Sequence, residues 1–167
     1  MLLFIVRHGD PIYNPDSLTP KGHLQAKALS KRFGMHGLDK IYASRLTRAH
    51  KTAKAVADAK GMDVITNNAF IEINLGDFDG KPWDYIFDNN PNLKQAWYYA
   101  PQNFAPPGGE SMQEVYTRAK KGLDQIINDP ENKDKSILIA THGCLLRSLL
   151  CYVMFDDITR LIEVPGS

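Results

Sequence analysis

Two histidines that follow predicted strands are the residues best suited to do chemistry in this sequence. His8 stands in an Arg-His-Gly tripeptide directly after the apolar run Leu2–Val6, and His142 stands in a Thr-His-Gly tripeptide after the run Ser136–Ala140. Because the carboxyl ends of parallel strands meet at one rim of a sheet, we expect the two imidazoles to lie together. Such a pair fits a metal site, an acid–base pair, or a nucleophile with its partner.

The neighbouring residues disfavour the metal site and favour an anion site. A metal would need a third and a fourth ligand, and although Asp10 is near His8 in the chain, no H-x-H or H-x-x-x-H spacing is present. Arg7, beside the first histidine, and Arg48, on a predicted helix, indicate an anion, because guanidinium groups hold phosphate with fixed, bidentate geometry. An imidazole among phosphate-binding arginines is placed for attack on phosphorus.

The elements that must position these side chains alternate along the chain. Strands are predicted at Leu2–Val6, Lys40–Ala43, Val64–Thr66, Ser136–Ala140 and Leu161–Val164, and helices after Thr19, after Ser44 as the N-cap, after Ser111 and over Cys144–Phe155. The segment from Gly9 to Leu18, which holds Pro11, Asn14 and Pro15, is predicted as a loop. This alternation predicts an α/β fold with a largely parallel sheet.

Residues 81–107 differ in composition from the rest of the chain. They hold seven aromatic residues and five prolines, which makes the segment too apolar for a free linker. We therefore predict a small lid packed over one edge of a single domain that covers residues 1–167.

The overall composition excludes several classes of protein. Among 167 residues, 43% are hydrophobic and the formal net charge is +1, which gives no electrostatic case for binding nucleic acid or a membrane surface. The apolar run at the N-terminus is too short to span a bilayer and lacks the basic lead of a signal peptide, so we expect a cytoplasmic protein. Cys144 and Cys151, about 10 Å apart on one predicted helix, are expected to be buried, reduced thiols.

Six short motifs, in order along the chain, resemble those of the histidine phosphatase superfamily, the phosphoglycerate-mutase-like clan. They are Arg7-His8-Gly9; Leu18-Thr19 with Gly22, Gln25 and Ala26; Ser44 to Ala49 with Thr52-Ala53; Glu72 with Gly76 and Asp79-Gly80; Gly109-Glu110-Ser111; and Thr141-His142-Gly143 with Arg147. Each motif is weak alone, but six in this order, from residue 2 to about 150, are specific. The resemblance implies a three-layer α/β/α sandwich.

The resemblance also implies a role for each candidate residue. His8 would be the nucleophile that takes the phosphoryl group, and His142 would be a further donor to it. Glu72 would protonate the leaving oxygen and then activate water. The residues implied to contact the substrate are Arg7, Asn14, Arg48 and Gly143.

The expected activity is hydrolysis of a phosphomonoester through a phosphohistidine, without a metal or another cofactor. The substrate class is a small-molecule phosphate ester, with a phosphoprotein as the alternative. Two other functions stay open. One is a phosphomutase, which the short loop after the first motif disfavours, and the other is an inactive relative that binds phosphorylated ligands.

Overall fold

The computed structural model describes residues 1–165 and has the predicted α/β fold, with a parallel sheet at its centre. The strands of the sheet are β1 (Leu2–Arg7), β4 (Lys40–Ala43), β5 (Ile65–Thr66) and β6 (Ser136–Thr141). They lie in the order β1-β6-β4-β5. All of its pairs are parallel. Four of the five predicted strands are therefore confirmed within a residue or two.

The remaining elements of residues 1–165 include a hairpin and six α-helices. The hairpin joins β2 (Pro11–Tyr13) to β3 (Asp16–Leu18). The helices are α1 (Pro20–Phe33), α2 (Thr47–Lys60), α3 (Trp83–Asn89), α4 (Pro91–Tyr99), α5 (Met112–Ile127) and α6 (Gly143–Phe155). Two predictions were wrong here: residues 11–18 form a hairpin instead of a loop, and the predicted strand Leu161–Val164 is mostly part of a 3₁₀ helix, Ile158–Glu163.

The chain forms two compact units. The first comprises Met1–Ile71 and Gly122–His142, and it contains the whole sheet. The second comprises Glu72–Lys121 and the described residues of Gly143–Ser167. The single domain over residues 1–167 stays a prediction.

The core of the first unit explains its layering. On one face of the sheet, Ile41 and Leu138 are fully buried against Ala53 and Val56 of α2 and Phe33 of α1. Ile137 and Ile139 of β6, which point to the opposite face, are also fully buried. A sheet that is apolar on both faces is the pattern of parallel strands covered on both sides.

Helix starts in both units follow their sequence signals. The Thr19 side chain accepts a hydrogen bond from the Gly22 N–H at 3.0 Å and caps α1. Before α5, the Ser111 N–H donates to the Glu114 carboxylate at 2.7 Å, and the Glu114 N–H donates to the Ser111 hydroxyl at 3.2 Å. This reciprocal pair is the capping box that the sequence predicted.

The second unit holds the aromatic segment 81–107. Trp97 packs against Trp83 with ring centroids 4.8 Å apart and against Phe104 at 5.1 Å, and Phe87 lies 5.4 Å from Trp83. Rings at these separations stabilise one another beyond the area that they bury. The segment thus has its own aromatic cluster, while its role as a lid stays a prediction.

Residues 1–165 contain neither a helix that could span a membrane nor a cluster of metal-ligating side chains. No helix there is long and apolar enough to cross a bilayer. No group of three or more histidine, cysteine, aspartate or glutamate side chains in that range is placed to hold a metal ion.

Candidate active site

The two predicted strand ends meet, as the strand pairing requires. β1 and β6 are neighbours in register, with Arg7 opposite Thr141, so the next residue of each strand is a histidine. The His8 N–H donates to the Thr141 carbonyl at 2.9 Å, which extends the ladder by one bond. The rings of His8 and His142 lie with their centroids 5.1 Å apart.

A hydrogen bond to a carbonyl fixes the tautomer of His8. Its Nδ1 lies 2.7 Å from the Gly9 carbonyl oxygen, which can only accept, so Nδ1 carries the proton. In the neutral ring, Nε2 then holds a lone pair. This is the state that an imidazole nucleophile needs.

Burial keeps His8 neutral at physiological pH. Desolvation is the main cause that lowers its pKa from 6.5 to about 4, and the positive charges of Arg48 and Arg7 lower it further. The hydrogen bond to Gly9 and the Asp16 carboxylate act in the opposite direction and are outweighed.

The backbone beside His8 is fixed by close packing. The Gly9 N–H donates to the Thr52 hydroxyl at 3.1 Å, and that hydroxyl donates to the Arg48 carbonyl at 2.8 Å. A side chain at Gly9 would put its Cβ 2.6 Å from the Gly22 carbonyl oxygen, so this position requires glycine. Thr52 therefore ties the histidine loop to the helix that carries Arg48.

Arg48 is buried and has an unused donor. The residue is 8% exposed, its Nη1 donates to the Asp16 carboxylate at 2.7 Å, and the Tyr13 ring centroid lies 5.3 Å from its Cζ. Its Nε is buried and has no hydrogen-bond partner among residues 1–165. A buried guanidinium N–H of this kind indicates that an anionic ligand completes the site.

His142 is in contact with Ser44, which the sequence predicts as the N-cap of the following helix. His142 is fully buried, and its Nε2 lies within hydrogen-bond distance of the Ser44 Oγ, at 2.8 Å. The Ser44 Oγ accepts the Leu46 N–H at 3.2 Å. The prediction that Ser44 caps the following helix was wrong, because α2 begins at Thr47 with Leu46 as its N-cap residue.

The other residues predicted to contact substrate lie in different surroundings. Arg7 is exposed at the end of β1. Asn14 is exposed in the turn between β2 and β3. Gly143 is half-buried at the start of α6, in the second unit.

Glu72 also belongs to the second unit, where it sits at the N-terminus of α6. Its carboxylate accepts the Cys144 N–H at 3.2 Å and the Leu145 N–H at 3.3 Å, which orients both oxygens. Arg118 donates to the Glu72 carbonyl at 3.3 Å and forms a bidentate pair with Glu110 at 2.6 and 2.9 Å. The Glu110 carboxylate is thus engaged by an arginine.

Sequence reasoning missed three residues of the histidine–arginine cluster. Thr52 belongs to one of the six motifs, but no role is predicted for it, and Asp16 and Tyr13 lie in a segment predicted as loop. Tyr13 and Asp16 pair across two strands of only three residues each. Strands this short show too little polar–apolar alternation for a hairpin to be predicted from the sequence.

Comparison with known proteins gives a family match over nearly the whole chain. Residues 3–165 match the family model described as the histidine phosphatase superfamily (branch 1). The match spans both units and every residue discussed above.

Relatives and solved structures agree with that match. Phosphoserine phosphatase 1 of Hydrogenobacter thermophilus is 29% identical, over 95% of this chain and 78% of its own length. A probable phosphoglycerate mutase, GpmB, of Yersinia enterocolitica is 31% identical, over 89% and 74%. The structure of YhfR from Bacillus stearothermophilus has a TM-score of 0.86 at 30% identity, over 98% of this chain and 85% of its own. A mycobacterial glucosyl-3-phosphoglycerate phosphatase solved with VO3 gives the same TM-score at 26% identity, over 98% and 85%.

Proposed function

The chain belongs to the histidine phosphatase superfamily, and from that premise we propose that it hydrolyses phosphate monoesters through a phosphohistidine formed on His8. The observation that carries the proposal is a neutral, tautomer-fixed His8 beside a buried arginine donor, the Nε of Arg48, that no described residue satisfies. A nucleophile and an anion clamp are the two parts that phosphoryl transfer needs.

The first half-reaction transfers the phosphoryl group. The lone pair on the His8 Nε2 attacks phosphorus, a P–N bond forms, and the P–O bond to the alcohol breaks. Arg7 and Arg48 hold the phosphoryl oxygens, with His142 as a further donor, and they neutralise charge on the equatorial oxygens in the transition state. The leaving alkoxide takes its proton from Glu72.

The second half-reaction returns the enzyme to its starting state. Glu72, now a carboxylate, takes a proton from water as the water oxygen attacks phosphorus. The P–N bond breaks, inorganic phosphate leaves, and His8 regains its lone pair while Glu72 regains its proton.

The proposed substrate is a small-molecule phosphate ester, with a phosphoprotein as the alternative. Named relatives act on phosphoserine and glucosyl-3-phosphoglycerate, and both compounds are small phosphate monoesters. We propose that Asn14 and Gly143 contact the substrate together with the two arginines. We also propose that the protein works in the cytoplasm and binds neither nucleic acid nor membranes, which its net charge of +1 supports.

A phosphomutase is the second candidate. Relatives named probable phosphoglycerate mutase reach 31% identity, which favours it. The eight residues from Pro11 to Leu18 form a tight hairpin instead of a long loop over the site, and a more open pocket favours transfer to water.

Release of para-nitrophenol from its phosphate ester in the presence of a chelator tests the proposal. We expect chelator-resistant release by the unaltered protein, and no release would favour a phospho-ligand-binding relative. Incubation with 3-phosphoglycerate then separates the candidates, because a hydrolase liberates inorganic phosphate and a mutase forms 2-phosphoglycerate.

A further inference from the structure

The hairpin that follows the first histidine places two side chains on the clamping arginine. Tyr13 and Asp16 pair directly across the two strands, so their side chains lie on the same face of the hairpin. The Tyr13 ring centroid lies 5.3 Å from the Arg48 Cζ, and the Asp16 carboxylate bonds the same guanidinium. The hairpin thus contacts Arg48 through both residues of one cross-strand pair.

The Asp16 carboxylate makes two bonds to α2. One oxygen accepts the Thr47 N–H at 2.5 Å, at a helix start where the N-cap residue, Leu46, offers no side-chain bond. The other oxygen accepts from the Arg48 Nη1 at 2.7 Å. The first bond fixes the carboxylate against the helix backbone, so the second fixes the guanidinium relative to that helix.

The direction of the Asp16 contact decides which donors of Arg48 remain for a ligand. A guanidinium is planar and has two edges that can grip an oxyanion with paired N–H groups. Asp16 bonds Nη1, and Nε, at the opposite side of the group, is buried and has no partner in the described part of the chain. The edge that contains Nε and Nη2 is therefore the one available to a phosphate.

We propose that Asp16 is a positioning residue that turns the Nε–Nη2 edge of Arg48 toward the substrate phosphate. The inference rests on the proposed function, because the ligand of Arg48 is the phosphoryl group that His8 receives. Asp16 itself does not touch the phosphate.

The burial of Arg48 explains why an acidic residue lies next to the proposed anion site. Arg48 is 9% exposed at its side chain, so without a counter-charge its guanidinium would be buried at a high cost in free energy. Asp16 is 24% exposed, so part of its own charge stays hydrated while it offsets the burial of the arginine. The clamp is thereby ordered before the substrate arrives, which reduces the entropy lost on binding.

Binding of inorganic phosphate to Asp16→Asn tests the proposal without requiring turnover. The amide oxygen of asparagine can still accept the Thr47 N–H, while its loss of charge removes the pair with Arg48. We expect phosphate affinity to fall about tenfold, as for loss of one charge-assisted bond. The melting temperature should fall as well, because the buried Arg48 loses its counter-charge, so affinities are compared at a temperature at which both proteins are folded. The matched control is Asp129→Asn, which alters an aspartate that caps a 3₁₀ helix and lies 3.9 Å from Lys40.

A spectroscopic signature separates positioning of Arg48 from a general structural role. In the unaltered protein, the Arg48 Nε–H resonance, assigned by its absence in Arg48→Lys, should shift when phosphate is added, and in Asp16→Asn this shift should be lost or much reduced. Should Asp16→Asn fail to fold, Asp16→Ser takes its place, because serine is small and uncharged and does not put an amide NH2 donor against the Arg48 guanidinium.

Three results would overturn the inference: phosphate affinity in Asp16→Asn within twofold of the unaltered protein, an equal loss in Asp129→Asn, or the same Nε–H shift in both Asp16→Asn and the unaltered protein. Absence of phosphate binding by the unaltered protein would also overturn it. Failure of the proposed function is distinguishable, because it would appear as phosphate binding without hydrolysis.

Discussion

The two ends of the same sheet differ in both shape and chemistry. At the carboxyl ends of β1 and β6, His8 and His142 lie 5.1 Å apart beside a buried arginine. At the amino end, a groove of about 540 Å³ is lined by Met1, Leu3 and residues of the segment 127–134. Four of its eight lining residues are apolar, and the lining contains neither histidine nor arginine. We therefore place the proposed function at the carboxyl end, where a histidine with a strongly shifted pKa lies, and not at the groove.

Strand direction and helix direction explain the difference. At the carboxyl end, strands are followed by helix starts, where backbone N–H groups such as that of Thr47 point outward and favour anions. At the amino end, α5 ends at Ile127, and the Asn132 side chain donates to the Ile126 carbonyl at 2.9 Å. At this end, a local hydrogen bond thus satisfies a carbonyl of the last turn of α5.

The largest expected effect is that of removing the nucleophile. His8→Ala should lower turnover of para-nitrophenyl phosphate by about a thousandfold or more, because no other described group is proposed to attack phosphorus. An acid-labile, base-stable phosphate label should form on the unaltered protein and be absent from the variant. Far-ultraviolet circular dichroism checks that the variant is folded.

A His8→Ala variant that keeps a tenth or more of the activity would contradict the assignment. His36→Ala is a suitable control, because His36 lies beyond the end of α1 and packs against Phe4 and Phe33.

The second effect concerns pH at the carboxyl end. His8 is proposed to act as the nucleophile in its neutral form, and its pKa is lowered to about 4, so at pH 5 about nine-tenths of it is neutral. A histidine with the ordinary pKa of 6.5 would be only about 3% neutral at pH 5. The rate at pH 5 should therefore be about thirtyfold higher than the rate expected for a histidine with that ordinary pKa. The pH dependence of kcat/KM, together with titration of the His8 ring by NMR, measures this.

The same shift predicts how stability depends on pH. Because the folded-state pKa of His8 is below its unfolded value, the unfolded chain binds more protons between pH 6.5 and 4. This group should therefore destabilise the folded protein as pH falls through that window, and His8→Ala should reduce that dependence. A ring titration midpoint near 6.5 would show that the site is more hydrated than the structure indicates.

The sequence predicted the positions of His8 and His142 well because each follows a buried strand with a strong apolar pattern. It did not predict Asp16 beside Arg48, because that contact joins residues 32 apart through a hairpin that reads as loop. Prolines and an asparagine indicate a turn, but they do not show whether the residues on either side of it form strands. Similarly, Leu161–Val164 has an apolar pattern that fits a strand, yet tertiary context places most of it in a 3₁₀ helix.

The third effect concerns Glu72, which is proposed to supply a proton. A general acid matters most when the leaving group is poor, so Glu72→Gln should slow hydrolysis of an alkyl phosphate at least about tenfold more than that of para-nitrophenyl phosphate. The measurement is kcat/KM for both substrates with both proteins. Glutamine keeps one oxygen that can accept the Cys144 or the Leu145 N–H, but its NH2 group cannot accept the other, so the melting temperature of the variant is the control for the start of α6.

Equal losses on the two substrates would show that Glu72 positions the substrate without donating a proton. Asp10 and Glu110 would then be the alternative donors. Asp10 accepts the Thr19 hydroxyl at 2.7 Å and Glu110 is paired with Arg118, so Glu110→Gln would be expected to act by disturbing Arg118 as well.

The smallest effect is expected at the amino-end groove, where a substitution tests whether the two ends of the sheet act independently. Ile127 lines this groove and is 41% exposed, so Ile127→Ser removes apolar surface there with a small cost in core packing. We expect kcat/KM for para-nitrophenyl phosphate to stay within about twofold of the unaltered protein, since surface changes away from a site shift free energies little. A larger loss in a variant with an unchanged melting temperature would mean that the groove is coupled to catalysis, and the separation of the two ends of the sheet would then be wrong.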